Sequence, residues 1–157
     1  MRLFLAIDLP LELKQKLGKV ISGKKITGDT NTHDKMHITL AFLGDKNPEE
    51  VLEKLKDFNF KKFEVELKGQ CSIPHVNGFA ANSPELIPLM AKLHSLFGLQ
   101  PKDFKPHVTL SRIKSPAEKH DFSESFKFNA ERILLLNSIA TPRGHVYSIV
   151  REFRPVN

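Results

Sequence analysis

The sequence predicts an α+β fold built on antiparallel sheets. Three observations carry that expectation. Strand-like and helical periodicities alternate irregularly along the chain, three segments open with a cap residue followed by proline, and one short pattern recurs in both halves. The segments lack the even spacing of right-handed parallel units, which favours strands paired antiparallel. At 157 residues, the chain is expected to form a single domain, residues 1–157, with a sizeable core.

Each element has a local cause. Leu3, Leu5 and Ile7 alternate with Phe4 and Ala6, a strand apolar on both faces. After Pro10, Leu13, Leu17, Val20 and Ile21 recur at helical spacing until Gly23 supplies a stop. Residues 28–35 are polar and turn-rich, a loop, and the run from Met36 to Leu43 follows as a strand. Asn47-Pro48-Glu49-Glu50 offers an N-cap, a proline at the first helical position and a Glu three residues after the cap. Phe63, Val65 and Leu67 alternate with charged residues, and Val76 to Ala81 is the expected hairpin partner. Ser83-Pro84-Glu85 repeats the cap-then-proline start before a stripe from Leu86 through Met90 and Leu93 to Phe97, ending at Gly98. His94 lies within that stripe and reads as a packing residue. Ser115-Pro116-Ala117-Glu118 is another capping box, and three strands are expected over 125–129, 132–138 and 146–153.

Composition narrows the class. The hydrophobic content of 40% and charged content of 27% are those of an ordinary globular protein, and no apolar run has membrane-spanning length. The opening apolar stretch is too short for a signal peptide and runs into Asp8, Pro10 and Glu12. A single Cys71 excludes an internal disulfide and a cysteine-based zinc site, and suits a reducing cytoplasm. The net charge of +6 is compatible with a polyanion such as RNA, and equally with a Lys-rich surface that keeps the chain soluble.

The recurring pattern is Lys35-Met36-His37-Ile38-Thr39-Leu40 and Lys105-Pro106-His107-Val108-Thr109-Leu110, each followed by a turn and a capped, proline-bearing start. Two copies suggest two similar lobes and no solenoid. Two matched His-aliphatic-Thr-Leu tetrads are expected by chance in well under about one chain in a thousand. Strand period sets His and Thr on one face and the aliphatic residues on the core side. Two such strands around one cleft supply two imidazoles and two hydroxyls, the inventory that phosphoester cleavage needs. One neutral imidazole takes a proton from the attacking oxygen and one protonated imidazole gives a proton to the leaving oxygen. The hydroxyls donate to the non-bridging oxygens. A lone His-X-Thr on a strand is ordinarily a structural hydrogen-bonder; the matched second copy reverses that weighting. A histidine metal site wants a third ligand, and His33, His75, His94, His120 and His145 show no ligand spacing to either tetrad.

On these residues the chain resembles a two-histidine (2H) phosphoesterase of the RNA 2′,3′-cyclic phosphodiesterase, or 2′-5′ RNA ligase, family. The resemblance covers nearly the whole length and is carried by residues 2–10, by His37 through Gly44 and by Lys105 through Arg112. It implies a bilobal α+β fold of two pseudo-repeated lobes, with two antiparallel sheets, helices on their outer faces and a central cleft holding both tetrads. It further implies opening of a 2′,3′-cyclic phosphate to a 2′-phosphate without metal or cofactor. His37 is then the general acid for the departing 3′ oxygen and His107 the general base for water. Thr39 and Thr109 hold phosphate oxygens, Arg112 contacts the phosphate and Phe42 lies near the terminal base, where stacking and core packing are both open. Tyr147 is left unassigned.

The chain departs from that pattern in having no Trp and in a short stretch around residues 70–81, which implies fewer RNA backbone contacts. The expected partners are RNA ends or nucleoside 2′,3′-cyclic phosphates, met by a monomer with no membrane association. Two alternatives stand beside this: a 2H enzyme acting on another cyclic phosphate or a 2′-5′ oligonucleotide, and a nucleotide-binding module without turnover. Ligation of 2′-5′ ends is expected only as the reverse reaction.

Overall fold

The apolar run from Leu3 to Ile7 is buried on both faces and forms β1 (Arg2–Asp8), the spine of one half of the molecule. The computed structural model describes residues 1–100 and 102–157. After β1 come α1 (Leu11–Gly23), β2 (Asp29–Thr30), β3 (His37–Asp45) and α2 (Pro48–Lys54). They are followed by β4 (Phe63–Gln70), β5 (Val76–Asn82), α3 (Leu86–Leu96), β6 (His107–Arg112), β7 (Ser125–Ala130), β8 (Ile133–Thr141) and β9 (Gly144–Phe153). Single 3₁₀ turns stand at His33–Lys35 and Pro116–Glu118.

The helices follow their sequence signals with one exception. Leu13, Leu17 and Val20 form the buried stripe of α1. The Asn47 side chain accepts the Glu49 backbone N–H at 2.8 Å, capping α2 with Pro48 in its first turn. The exception is α3, expected to begin at Ser83-Pro84. It begins at Leu86, because Ser83 turns its hydroxyl to the Glu85 carboxylate at 2.7 Å and the intervening residues form a turn. The Ser115–Glu118 capping box forms as expected, but around a single 3₁₀ turn.

All strands named above join one antiparallel path in the order β7-β4-β5-β6-β3-β1-β8-β9, with β2 added on β6. The two expected sheets therefore meet, and they meet narrowly. β1 pairs with β3 over seven positions and β5 with β6 over five, whereas β3 and β6 share one pair, Ile38 opposite Val108. One face is packed under the helices: Leu3, Leu5 and Ile7 share a core with Leu13, Leu17, Leu86 and Leu93. On the other face Phe4 and Ala6 join Leu134, Leu136 and Tyr147 in a separate small cluster. The second face is where the tetrads open.

Each tetrad strand is bulged within its tetrad. Ala6 pairs with Thr39 and Leu5 with Ala41, so Leu40 is an extra residue on β3. Gly78 pairs with Thr109 and Asn77 with Ser111, so Leu110 is an extra residue on β6. Each bulge falls on the leucine that ends a tetrad. Alternation reverses there: Leu40 and Ala41 are both buried, as are Leu110 and Ser111. Close approach at β6 also demands glycine, since a Cβ on Gly78 would stand 2.2 Å from the Val108 carbonyl oxygen.

Candidate active site

His37 and His107 each open a strand, and the single pair Ile38–Val108 sets those openings side by side in antiparallel sense. His37, Thr39, His107 and Thr109 are half-buried, while Ile38, Leu40, Val108 and Leu110 are no more than 1% exposed. Strand alternation therefore puts both imidazoles and both hydroxyls on the face opposite the helices. The rings are near enough for the charge of His107 to act on His37.

The two imidazoles are held differently. His107 Nδ1–H donates to the Lys105 carbonyl at 2.8 Å, which fixes the tautomer and leaves Nε2 with a free lone pair when the ring is neutral. His37 Nε2 lies 3.1 Å from the Thr39 hydroxyl, and its buried Nδ1 makes no well-formed hydrogen bond among the described residues, only a weaker approach to the Lys35 carbonyl. Burial lowers the His37 pKa to about 4. The Asp8 carboxylate opposes that shift, whereas Lys14 and His107 reinforce it, and the Lys35 carbonyl pulls weakly upward. Free His37 is thus neutral at neutral pH.

The bulges decide where the flanking side chains go. Phe42 and Arg112 each lie five positions after their histidine, and a flat strand would turn both to the core. With one extra residue in between, both reach the tetrad face, where Phe42 is 65% exposed and Arg112 is also exposed. Phe42 packs on Phe4 with ring centroids 5.9 Å apart, and Arg112 lies close enough to Tyr147 to pull its pKa down against the upward push of burial. Of the two readings left open for Phe42, this exposure speaks against core packing.

Three residues with no role assigned from sequence also line the site. Tyr147 sits edge-on to His37 at 5.6 Å and to Phe4 at 5.1 Å. Phe4 lies 5.4 Å from the His37 ring. Asp8 is the β1 partner of His37 and forms ion pairs with Lys14, at 2.8 Å, and with Arg132. Only the neighbourhood of strands reveals them, since Phe4, Asp8 and Tyr147 all lie far from the tetrads in sequence. Among the described residues no three His, Cys, Asp or Glu side chains gather into a metal-binding group. Two surface hollows of about 460 and 420 Å³ lie elsewhere and contain no tetrad residue.

A sheet of this order with paired His-X-Thr strands at its seam is the architecture of the 2H phosphoesterases. The chain belongs to the 2′-5′ RNA ligase superfamily, which it matches over residues 24–139. Among its relatives is the RNA 2′,3′-cyclic phosphodiesterase of Methanocaldococcus jannaschii, 28% identical, with 98% of this chain and 100% of that protein aligned. The protein of the same name from Archaeoglobus fulgidus is also 28% identical, over 98% and 99% of the two chains. Among solved structures, a Thermus thermophilus protein superposes with a TM-score of 0.82 at 25% identity, covering 98% of this chain and 97% of its own. LigT of E. coli, crystallised with 3′-AMP, shares the fold with a TM-score of 0.84 at 21% identity, over 99% and 98% of the chains.

Proposed function

We propose that the chain is an RNA 2′,3′-cyclic phosphodiesterase that opens a terminal cyclic phosphate to a 2′-phosphate. Its family and the names of its relatives make it a phosphodiesterase. The observation that carries the division of labour is the unequal holding of the two imidazoles. With Nδ1–H committed to the Lys105 carbonyl, His107 offers Nε2 as the base that takes a proton from the attacking water. The P–O3′ bond breaks, and protonated His37 gives its proton to the departing 3′ oxygen. Burial keeps free His37 neutral, so its proton must be held by the substrate: the negative phosphate opposes the desolvation that lowers the pKa. Thr39 and Thr109 donate to the non-bridging oxygens, and Arg112 meets the second negative charge as it develops. Phe42 stacks on the terminal base, which its 65% exposure favours. No metal enters these steps. With a 5′-hydroxyl in place of water, the same two proton transfers join ends 2′-5′.

We read the two halves of the sheet, each with its tetrad and its bulged leucine, as pseudo-repeated lobes of one domain. A monomer suffices, because one chain supplies every group named. No helix among the described residues is long and apolar enough to cross a membrane, and the buried thiol of Cys71 suits a reducing compartment.

The test is turnover of 2′,3′-cyclic nucleotides and of RNA with a cyclic end in excess chelator, with products identified by phosphorus NMR. Activity is expected to persist, and to fall by about 10²–10⁴-fold in His37→Gln and in His107→Gln. Wild-type turnover in either variant defeats the two-histidine mechanism. Tight binding without turnover on any cyclic phosphate would identify a binding module, and preference for another phosphodiester a different 2H substrate.

A further inference from the structure

The extra residue on β3 leaves a carbonyl to be satisfied. Leu40 has no partner on β1, where Ala6 pairs with Thr39 and Leu5 with Ala41, and its side chain is sealed in the core. Its carbonyl oxygen lies 3.1 Å from Nε2 of His94, on α3, a histidine only 7% exposed. A carbonyl can only accept, so Nε2 carries the proton and His94 donates. Phe104 holds the ring edge-on at 4.7 Å. The matching bulge on β6 is satisfied by backbone alone: the Leu110 carbonyl accepts the Asn31 N–H at 2.8 Å. One bulge is thus closed by main chain and the other by an imidazole that the chemistry does not use.

We propose that His94 is a positioning residue that fixes the Leu40 bulge and thereby presents Phe42 to the terminal nucleobase. If the bulge relaxed, Leu40 would take the place opposite Leu5 and Ala41 the place opposite Phe4, and Phe42 would turn toward the helices. Residues before the bulge keep their own pairing, His37 with Asp8 and Thr39 with Ala6. Loss of the hydrogen bond therefore acts on substrate binding and spares the proton transfers. The inference rests on the reading of Phe42 as a base contact.

The experiment compares wild type, Phe42→Ala, His94→Leu, His94→Gln and the Phe42→Ala/His94→Leu double variant on a 2′,3′-cyclic nucleotide. Loss of one stacking contact is expected to raise KM about 5- to 50-fold. Phe42→Ala and His94→Leu should both do so, with kcat within about two-fold of wild type. The double variant should be no worse than either single one, because both remove the same contact. His94→Gln, which still offers an N–H toward Leu40, should restore most of the affinity. Nitrogen NMR of the imidazole should show the Nε2–H tautomer. The proposal is overturned if Phe42→Ala raises KM while His94→Leu does not, if the two effects multiply, or if His94 is the Nδ1–H tautomer. A wild-type KM in Phe42→Ala would instead remove the base contact itself, and the proposal with it. Should His94→Leu not fold, His94→Asn, whose shorter amide falls short of the carbonyl, takes its place with the same expectations.

Discussion

His37 and His107 are the same residue type in the same local pattern, yet their settings differ. His107 has a backbone carbonyl on Nδ1, which orients the ring and favours one tautomer. His37 has a buried Nδ1 with no well-formed hydrogen bond among the described residues, aromatic rings on its flanks and a pKa of about 4. In the free protein a carbon- or nitrogen-detected NMR titration should place the His37 midpoint near pH 4. Adding a nucleoside 2′-phosphate should move it upward, because the bound anion favours the charged ring. An unchanged midpoint at saturation would break the link between substrate charge and the proposed acid. Imidazole and hydroxyl at alternate positions were legible in the sequence because strand period alone aligns them. The lowered pKa of His37 was not, since it comes first from burial by strands distant in sequence and then from the balance of the Asp8 and Lys14 charges beside it.

At the scale of elements, the bulges separate what the sequence tells from what it hides. Neither Leu40 nor Leu110 carries a residue signature for a bulge, so plain alternation assigns Phe42 and Arg112 to the wrong face. Only the family resemblance pointed to them. Helix starts at Pro10 and Pro48 were readable from caps and prolines, whereas α3 shifted to Leu86 because Ser83 and Glu85 bind each other. Gly78 exposes the constraint on β6 most sharply. Its missing Cβ leaves room for the Val108 carbonyl beside the second tetrad. Gly78→Ala should therefore destabilise the protein by about 2–3 kcal/mol in urea unfolding and lower turnover with it. A variant with unchanged stability would mean that β5 and β6 can separate at no cost.

For the whole molecule, α+β class, antiparallel pairing and two matched segments were legible, while the strand order was not. Nothing local says that the first strand lies between β3 and β8, or that Arg132 bridges Asp8 and Glu152 across three strands. Such long-range pairing is fixed by burial of whole faces. Folding itself should then feel the buried imidazole of His37. The His37 pKa falls from 6.5 in the unfolded chain to about 4 in the folded one, so between those values the unfolded chain binds the extra proton. The stability that the neutral His37 contributes is complete above about pH 6.5 and is lost as pH falls toward 4. Relative to His37→Gln, the wild type should lose about 2 kcal/mol between pH 7 and 4, allowing for partial exposure of the ring. Parallel stability profiles for the two proteins would contradict the shift.

Tyr147 gives the molecule an optical property as well as a place beside His37. The chain has one Tyr and no Trp, so its emission above the weak phenylalanine background arises from a single phenol lying 5.6 Å from the His37 ring. A charged imidazole at that distance drains the excited state of a phenol more effectively than a neutral one. The unlabelled protein therefore reports the proton on its own candidate acid: emission should dim as His37 charges, whether by acidification or on arrival of a phosphate.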